Sequence, residues 1–443
     1  MSAFLERLRA IHRECGSNNA SMTPPIGRTF SLPNLPVQSA NDVMPQDRIV
    51  VPLAEVERRG QACLSGSLRI DPGTQHGALA VGEILNLSGR AAFMMSGDER
   101  LRDFDVTQAA FFDLETTGLM GGSGNLAFLA GLVRVERGGS VVVHQVLLRH
   151  PAEEPAALAL IEELLDPVEF LVSFNGKAFD RNVLADRFVM NRLDPSPVLE
   201  MPHLDLLHPA RRIYRGHLGA CNLSAIEVNC LGVRRPDTEV SGADVPGRWF
   251  EFLHSGRLPL LQPVISHNLL DLLSLLTLAA RLADLLAGRD LDAVPVTIQV
   301  AVARLMVLRG EADHGETVLR RIASGDPRDP VIYSALGLLA DHLRKTSRHT
   351  ESIGLWSRMI EAVGAEDLAP WMGLAIALEH RLGRPEEALE LVDRLLDRLL
   401  RDGTVGDEVR GLTHRRARLA RKAAGAQSGQ ALVLDRGTAD CVG

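Results

Sequence analysis

Two acids stand two residues apart in an apolar run, Phe-Phe-Asp-Leu-Glu-Thr-Thr-Gly-Leu at 111–119. Side chains alternate along a strand, so Asp113 and Glu115 point one way and Leu114 the other. Two carboxylates on one face of a buried strand repel each other and lose hydration. A pair of divalent cations is the natural compensation, since hard cations take oxygen ligands. Two further stretches can complete a ligand set. Asn-Gly-Lys-Ala-Phe-Asp at 175–180 follows an apolar segment at a Gly turn and enters a helical pattern. That puts Asp180 near a helix N-terminus at the C-terminal edge of a sheet, where α/β folds collect catalytic groups. A first-turn acid that complements the helix dipole is the other reading of Asp180. In His-Asn-Leu-Leu-Asp at 267–271, His267 and Asp271 share a helix face. The Leu-rich run after Asp271 argues for burial, and a buried acid needs a partner. Alone the two form a structural His–Asp pair; beside Asp113, Glu115 and Asp180 they supply a fourth acid and a proton carrier.

The elements that must position these residues follow from pattern. Strands are expected at 109–115, 126–135 and 140–149, the last two joined as a hairpin by Arg-Gly-Gly at 137–139. A helix at 153–166 stops before Pro167, and a fourth strand covers 169–174. A helix then runs to about 193, His203-Leu-Asp reads as a short strand or the turn into a helix, and a long apolar helix covers about 263–287. The order is that of an α/β domain, a mixed sheet flanked by helices. After 295 no strand signal remains. Glu316, Glu351 and Glu386 recur at a spacing of 35, each opening an amphipathic helix, and such a period marks stacked helical hairpins. The expected organisation is an N-terminal helix and linker over 1–48, an extension over 49–105, the α/β domain over 106–290, helical repeats over 295–422 and a disordered tail over 423–443.

Taken in order, Asp113-x-Glu115, Asn175-x-x-x-Phe179-Asp180 and His267-x-x-x-Asp271 resemble the three exonuclease motifs of the DEDD superfamily. His-Leu-Asp-Leu-Leu-His-Pro-Ala-Arg-Arg at 203–212 extends the likeness toward bacterial RNase H-like proteins of the YprB type. Trp371-Met-Gly-Leu-Ala with Gly383-Arg-Pro-Glu-Glu-Ala-Leu resembles a tetratricopeptide repeat. The resemblance implies a 3′–5′ exonuclease on DNA or RNA, with an RNase H-like fold and a tetratricopeptide-like domain for a protein partner. It implies that Asp113, Glu115, Asp180 and Asp271 hold two Mg²⁺ or Mn²⁺ ions, one making a hydroxide and the other stabilising the leaving 3′-oxygen. His267 would orient or deprotonate the attacking water. Its spacing departs from both common sub-patterns. One has Tyr with three residues between it and the Asp, the other has His with four; here His takes the Tyr spacing.

Around these acids, Thr116, Thr117 and Gly118 are candidates for close approach of the nucleic-acid 3′ end, with Asn175 of the second motif beside them. Gly121–Gly124 either serves the same end or is an ordinary turn. Lys177 reads equally as a phosphate contact or a solvated lysine. Arg211 and Arg212, with Arg215, Arg234 and Arg235, form the best phosphate-binding cluster of a chain whose net charge is −8. That charge argues against a protein that coats nucleic acid. Five cysteines without C-x-x-C spacing argue against a disulfide framework or zinc site and fit a reducing cytoplasm. No membrane segment is expected. The rival from another class is a weakly active nucleic-acid-binding scaffold that recruits partners through its repeats.

Overall fold

A computed structural model describes residues 51–118, 124–236 and 240–437, with backbone alone beyond 424. The expected N-terminal helix and linker, and Gly121 and Gly122, lie outside the described residues. The chain divides into two compact units, Ser31–Gly310 and a helical unit from Glu311 onward.

The first unit is built on a seven-stranded sheet of order β1-β2-β7-β6-β5-β8-β9. β1 (Ala54–Arg58), β2 (Gln61–Ile70), β5 (Ala109–Thr116), β6 (Ala127–Val135), β7 (Val141–Leu147), β8 (Phe170–Ser173) and β9 (His203–Asp205) make it up; β3 (Gln75–His76) and β4 (Leu79–Ala80) form a separate ribbon. The β1, β2, β7, β6 and β5 neighbours run antiparallel, while β8 and β9 join β5 in parallel. The sheet is mixed, as expected. The stretch before 106, expected as an extension packed on the α/β domain, contributes β1 and β2 to the far side of the sheet itself.

Helices cover both faces. On one, α2 (Glu154–Leu165) and α3 (Asp180–Met190) close over Phe112, Leu114, Ala130 and Leu171. On the other, α8 (Gln262–Leu286) lies along β5 and β6. α1 (Gly89–Ser96) precedes β5. The short α4 (Ser196–Leu199) leads to β9; α5 (Leu207–Leu218), α6 (Leu223–Ile226) and α7 (Val245–Ser255) follow it, and α9 (Val296–Leu308) closes the unit. Alternation along β5 is obeyed: Phe112 and Leu114 enter the α2–α3 core, which leaves Asp113 and Glu115 on the α8 face.

The second unit consists of α10 (Ala312–Ala323), α11 (Pro330–Lys345), α12 (His349–Val363), α13 (Ala369–His380), α14 (Pro385–Arg401) and α15 (Asp407–Gly437), each packed on the next. α15 continues through 423–437, where the sequence suggested a disordered tail; Ala, Gln and Leu there favour helix enough to outweigh the scattered glycines. Glu316 and Glu351 of alternate helices share Arg320 and Arg348 in one ion-pair network. Close packing explains Gly373 on α13. A Cβ there would stand 2.7 Å from Cε2 of the buried Trp356. Gly373→Ala should therefore destabilise the helical unit by about 1–3 kcal/mol. Gly354→Ala, in α12 with open space around it, should raise its stability; thermal melts of the two variants check the contrast.

Candidate active site

β5 outruns β8. The parallel pairing ends at Phe111 opposite Val172, so the last residues of β5 face open space where the β8 chain turns into α3. Asp180, the first residue of α3, is buried there. A bulge between Glu115 and Thr116 bends the end of β5, a common device next to active sites. From the other side α8 brings His267 and Asp271. Glu115, His267 and Asp271 offer ligand atoms that all lie within 4.8 Å of one another. His267 Nε2 is 3.5 Å from Asp271 Oδ2 and 3.9 Å from Glu115 Oε1. Asp113 and Asp180 stand outside that trio but within reach of its charge.

The electrostatics are those of crowded acids. Burial pushes Asp113 well above the usual carboxylate range; Asp271, Glu115 and Asp180 add to the shift and the Asn268 amide opposes it. Burial lifts Glu115 to about 7, with His267 and Arg235 opposing and Asp271 and Asp180 adding. Asp180 is also pushed up to about 7, chiefly by burial, against the pull of its own backbone N–H and that of Leu114. Glu115 Oε1 is buried and accepts no hydrogen bond from the described residues. Oxygen donors, mutual repulsion and an orphaned carboxylate oxygen are what a hard divalent cation satisfies, so the residues present fit one.

Two sets of supporting residues escape the motif reading. The first fixes Asp113. Asn268 Nδ2 donates to Asp113 Oδ2 at 2.9 Å and to its backbone carbonyl at 3.2 Å. Asn268 is oriented by Gln145, whose Nε2 reaches Asn268 Oδ1 at 2.9 Å. Asp113, Gly131 and Gln145 form one cross-strand row, and Asn268 lies over its centre. A Cβ on Gly131 would stand 2.1 Å from Asn268 Oδ1, so only glycine fits there.

The second set fixes Asp271 and His267. Arg235 donates to Glu227 at 2.7 and 2.6 Å, makes a short contact to Asp271, and donates from Nη1 to His267 Nδ1 at 3.2 Å. Glu227, in a π-helical turn after α6, also accepts from Ser274 Oγ at 2.5 Å, and Ser274 Oγ pairs with His76 Nε2 at 2.8 Å. Burial drives His76 down to about 4, with Arg235 adding to the shift, so it is neutral. A guanidinium only donates, so Nδ1 of His267 accepts and a neutral ring carries its proton on Nε2, facing the acids. His267, Asp271 and Ser274 sit at helical spacing on α8, a signal present in the sequence. Glu227 and His76 come from segments with no pattern that marks them.

The residues proposed for substrate divide. Thr116 Oγ1 donates to Gly118 O at 2.7 Å, and Thr117 Oγ1 accepts from Leu126 N at 3.0 Å, so both hydroxyls hold the turn after β5. Glu115, Thr116, Gly118, Asn175, Phe179 and Pro246 line one cleft. Asn175 takes a left-handed conformation, φ 69°. Asp205 caps α5 through Leu207 N at 3.1 Å. It also holds the 175–177 loop, accepting from Asn175 N at 2.8 Å and Lys177 N at 3.2 Å. Lys177 is half-buried in that loop. Arg211 and Arg212 lie on α5, where Arg212 Nη1 donates to Met95 O at 3.2 Å. The basic cluster thus separates, with Arg235 at the acids and Arg212 at the end of α1.

Comparison with known proteins agrees with this geometry. The family model of the RNase H superfamily matches residues 110–283, from β5 through most of α8. "Uncharacterized protein YprB" of Bacillus subtilis (strain 168) is 32% identical over 299 residues, 67% of this chain and 70% of the relative. The chain belongs to the RNase H superfamily. The matched region contains the candidate residues Asp113, Glu115, Asp180, Glu227, Arg235, His267 and Asp271, while His76 lies before it. Among the described residues no helix is long and apolar enough to cross a membrane.

The raised carboxyls give a pH signature. Glu115 has a folded pKa above its unfolded value, so its contribution to stability is present below about 4.5 and lost as pH climbs through about 7. Glu115→Gln should therefore stabilise the metal-free protein at pH 8, on the order of 2 kcal/mol, and should not do so at pH 4. Wild-type protein titrated with Mn²⁺ at pH 6 should release protons, and at pH 8.5 it should not. Calorimetry in buffers of different ionisation enthalpy measures the difference, and thermal melts of Glu115→Gln measure the first effect.

Proposed function

We propose that the chain is a divalent-metal-dependent nuclease, a 3′–5′ exonuclease on DNA or RNA of the DEDD type. The observation that carries the reading is the approach of Asp113, Glu115, Asp180 and Asp271 to one another beside His267, with Glu115 Oε1 buried and without a hydrogen bond among the described residues. A scaffold has no use for carboxylates kept together against repulsion and desolvation. These four acids would hold Mg²⁺ or Mn²⁺, two ions in the full arrangement, which would supply charge to activate a water and stabilise the leaving oxygen. The protein's own contribution is positional. Asn268 fixes the Asp113 carboxylate from one side, and Arg235 holds Asp271 from the other. The Thr116–Gly118 turn and the 175–177 loop border the space where a strand end would lie.

His267 is the group whose role the geometry sharpens. With Nδ1 accepting from Arg235, its Nε2 is a donor, which favours orienting a water over deprotonating one. His267→Gln, which keeps a donor, should then retain at least tenfold more activity than His267→Ala. Equal losses in the two variants would argue for proton transfer by the imidazole.

For the helical unit we infer a tetratricopeptide-like stack that binds a protein partner. Its support is the 35-residue spacing of Glu316, Glu351 and Glu386, the successive packing of α10 to α15 and the close packing of Gly373 on Trp356.

The central test is cleavage of end-labelled single-stranded and duplex DNA and RNA with Mg²⁺ or Mn²⁺. The expected result is shortening from the 3′ end, abolished by EDTA and reduced at least a thousandfold in Asp113→Ala. Wild-type and Asp113→Ala proteins that are alike on every substrate would favour the scaffold instead.

A further inference from the structure

Three helices of the sheet-bearing unit differ in charge from the rest of the chain. α1, α5 and α9 pack on one another and contain no Asp or Glu, in a chain with 56 acidic residues. They carry Arg211, Arg212, Arg215 and Arg304 on exposed positions, and Arg309 follows α9 directly. Among the described residues none of these five arginines is paired with a carboxylate. Instead Arg212 and Arg309 converge on the C-terminal end of α1. Arg212 Nη1 donates to Met95 O at 3.2 Å and Arg309 Nη2 to Ser96 O at 3.4 Å. Arg309 Nε is buried with no hydrogen-bond partner. Burial, then Arg309 and Arg304, pull the Arg212 pKa down, the mark of like charges gathered without a counter-charge. Helix-end carbonyls offset only a fraction of one charge, so the arrangement is unfavourable unless an anion covers it.

The patch adjoins the cleft. α5 begins two residues after Asp205, whose carboxylate holds the 175–177 loop. Asp98 lies two residues beyond Ser96, and its charge acts on Lys177 of that loop. The Asp98–Arg100 ion pair thus stands between Lys177 and the end of α1, where Arg309 and Arg212 lie. The aromatic residues of the three helices, Phe93 and Tyr214, are buried, so this face offers guanidinium groups and no ring on which a base could stack.

We propose that the face formed by α1, α5 and α9 is a track for the phosphate backbone of a nucleic-acid strand whose end lies at the carboxylate cleft. The placement of that end rests on the nuclease reading. Guanidinium groups match phosphate oxygens in planar, two-bonded geometry, and contacts to backbone alone carry no sequence preference. An acidic protein surface would satisfy the charge but not the continuity with the cleft.

The test is fluorescence anisotropy of a labelled single-stranded 20-mer and of a blunt duplex, with the full chain in EDTA over a range of salt. The variant combines Arg211→Gln, Arg215→Gln and Arg304→Gln, three side chains that make no hydrogen bond in the structure; circular dichroism checks its fold. Arg69→Gln, on β2 and paired with Glu136, is the control. The expected result is a loss of at least tenfold in affinity near 0.1 M salt. The slope of log K against log salt should flatten by about 2 for the single strand, with Arg69→Gln unchanged. Affinity and slope equal to wild type in the triple variant would overturn the track, as would equal binding of poly-glutamate by wild type. The two readings fail separately. Wild-type binding that depends on these arginines without cleavage in Mg²⁺ or Mn²⁺ keeps the track and removes the nuclease. Cleavage by wild type with unchanged binding by the variant does the reverse.

Discussion

Repulsion among buried carboxylates at the end of β5 is the constraint on which the rest of the site depends. The strand's alternation places Asp113 and Glu115 on one face, and the fold then brings Asp180 and Asp271 toward them. Asp271 raises the cost of ionising Asp113, Glu115 and Asp180, and Asp180 that of Asp113 and Glu115. The protein answers this unevenly. Asp113 receives an amide, Asp180 receives backbone N–H groups, Asp271 receives a guanidinium, and Glu115 Oε1 receives nothing. A core selected for stability alone would not leave a buried oxygen without a donor.

The polar chain behind Arg235 shows how the strain is held in place. His76, Ser274, Glu227 and Arg235 link a short ribbon, a long helix and a π-helical turn through consecutive hydrogen bonds. Glu227 is 1% exposed, and a charge at that depth is tolerated only with its partner in good geometry. The guanidinium is thus committed to Glu227 before it reaches Asp271. It orients Asp271 and His267 without cancelling the charge of the cluster. π-Helical turns of this kind recur at functional sites, and here the extra residue aims Glu227 into the α8 face.

The elements with regular patterns were legible in the sequence. Strands expected at 109–115 and 126–135 appear as Ala109–Thr116 and Ala127–Val135, and the long helix expected at 263–287 spans Gln262–Leu286. Each carries enough apolar residues at one period to outweigh its few polar ones. The catalytic candidates were legible for the same reason, because an Asp or His interrupts an otherwise apolar repeat. What could not be read was partnership across long separations. Gly131 looks like any glycine in a strand until Asn268 is placed above it. Arg212 and Arg235 read as one basic cluster because they are near in sequence. Folding sends one to the carbonyls of α1 and the other to Asp271. The strands β1 and β2 were missed as sheet members because β1, Ala-Glu-Val-Glu-Arg, has little apolar content and Gly66 interrupts β2; pairing of β2 with β7 and of β1 with β2 decides their state.

Charge bookkeeping at the cleft then argues for what the site requires. Arg235 is matched by Glu227, so the four carboxylates around His267 keep their own charge to balance. Burial, and after it the neighbouring acids, pushes Glu115 and Asp180 up to about 7, so protonation is how the protein's own groups shed charge there at neutral pH. Protonated acids are poor ligands and poor acceptors, so that state stores the arrangement without using it. A divalent cation would favour the ionised forms of Asp113, Glu115 and Asp180, and Asn268 and Arg235 already hold Asp113 and Asp271 in place.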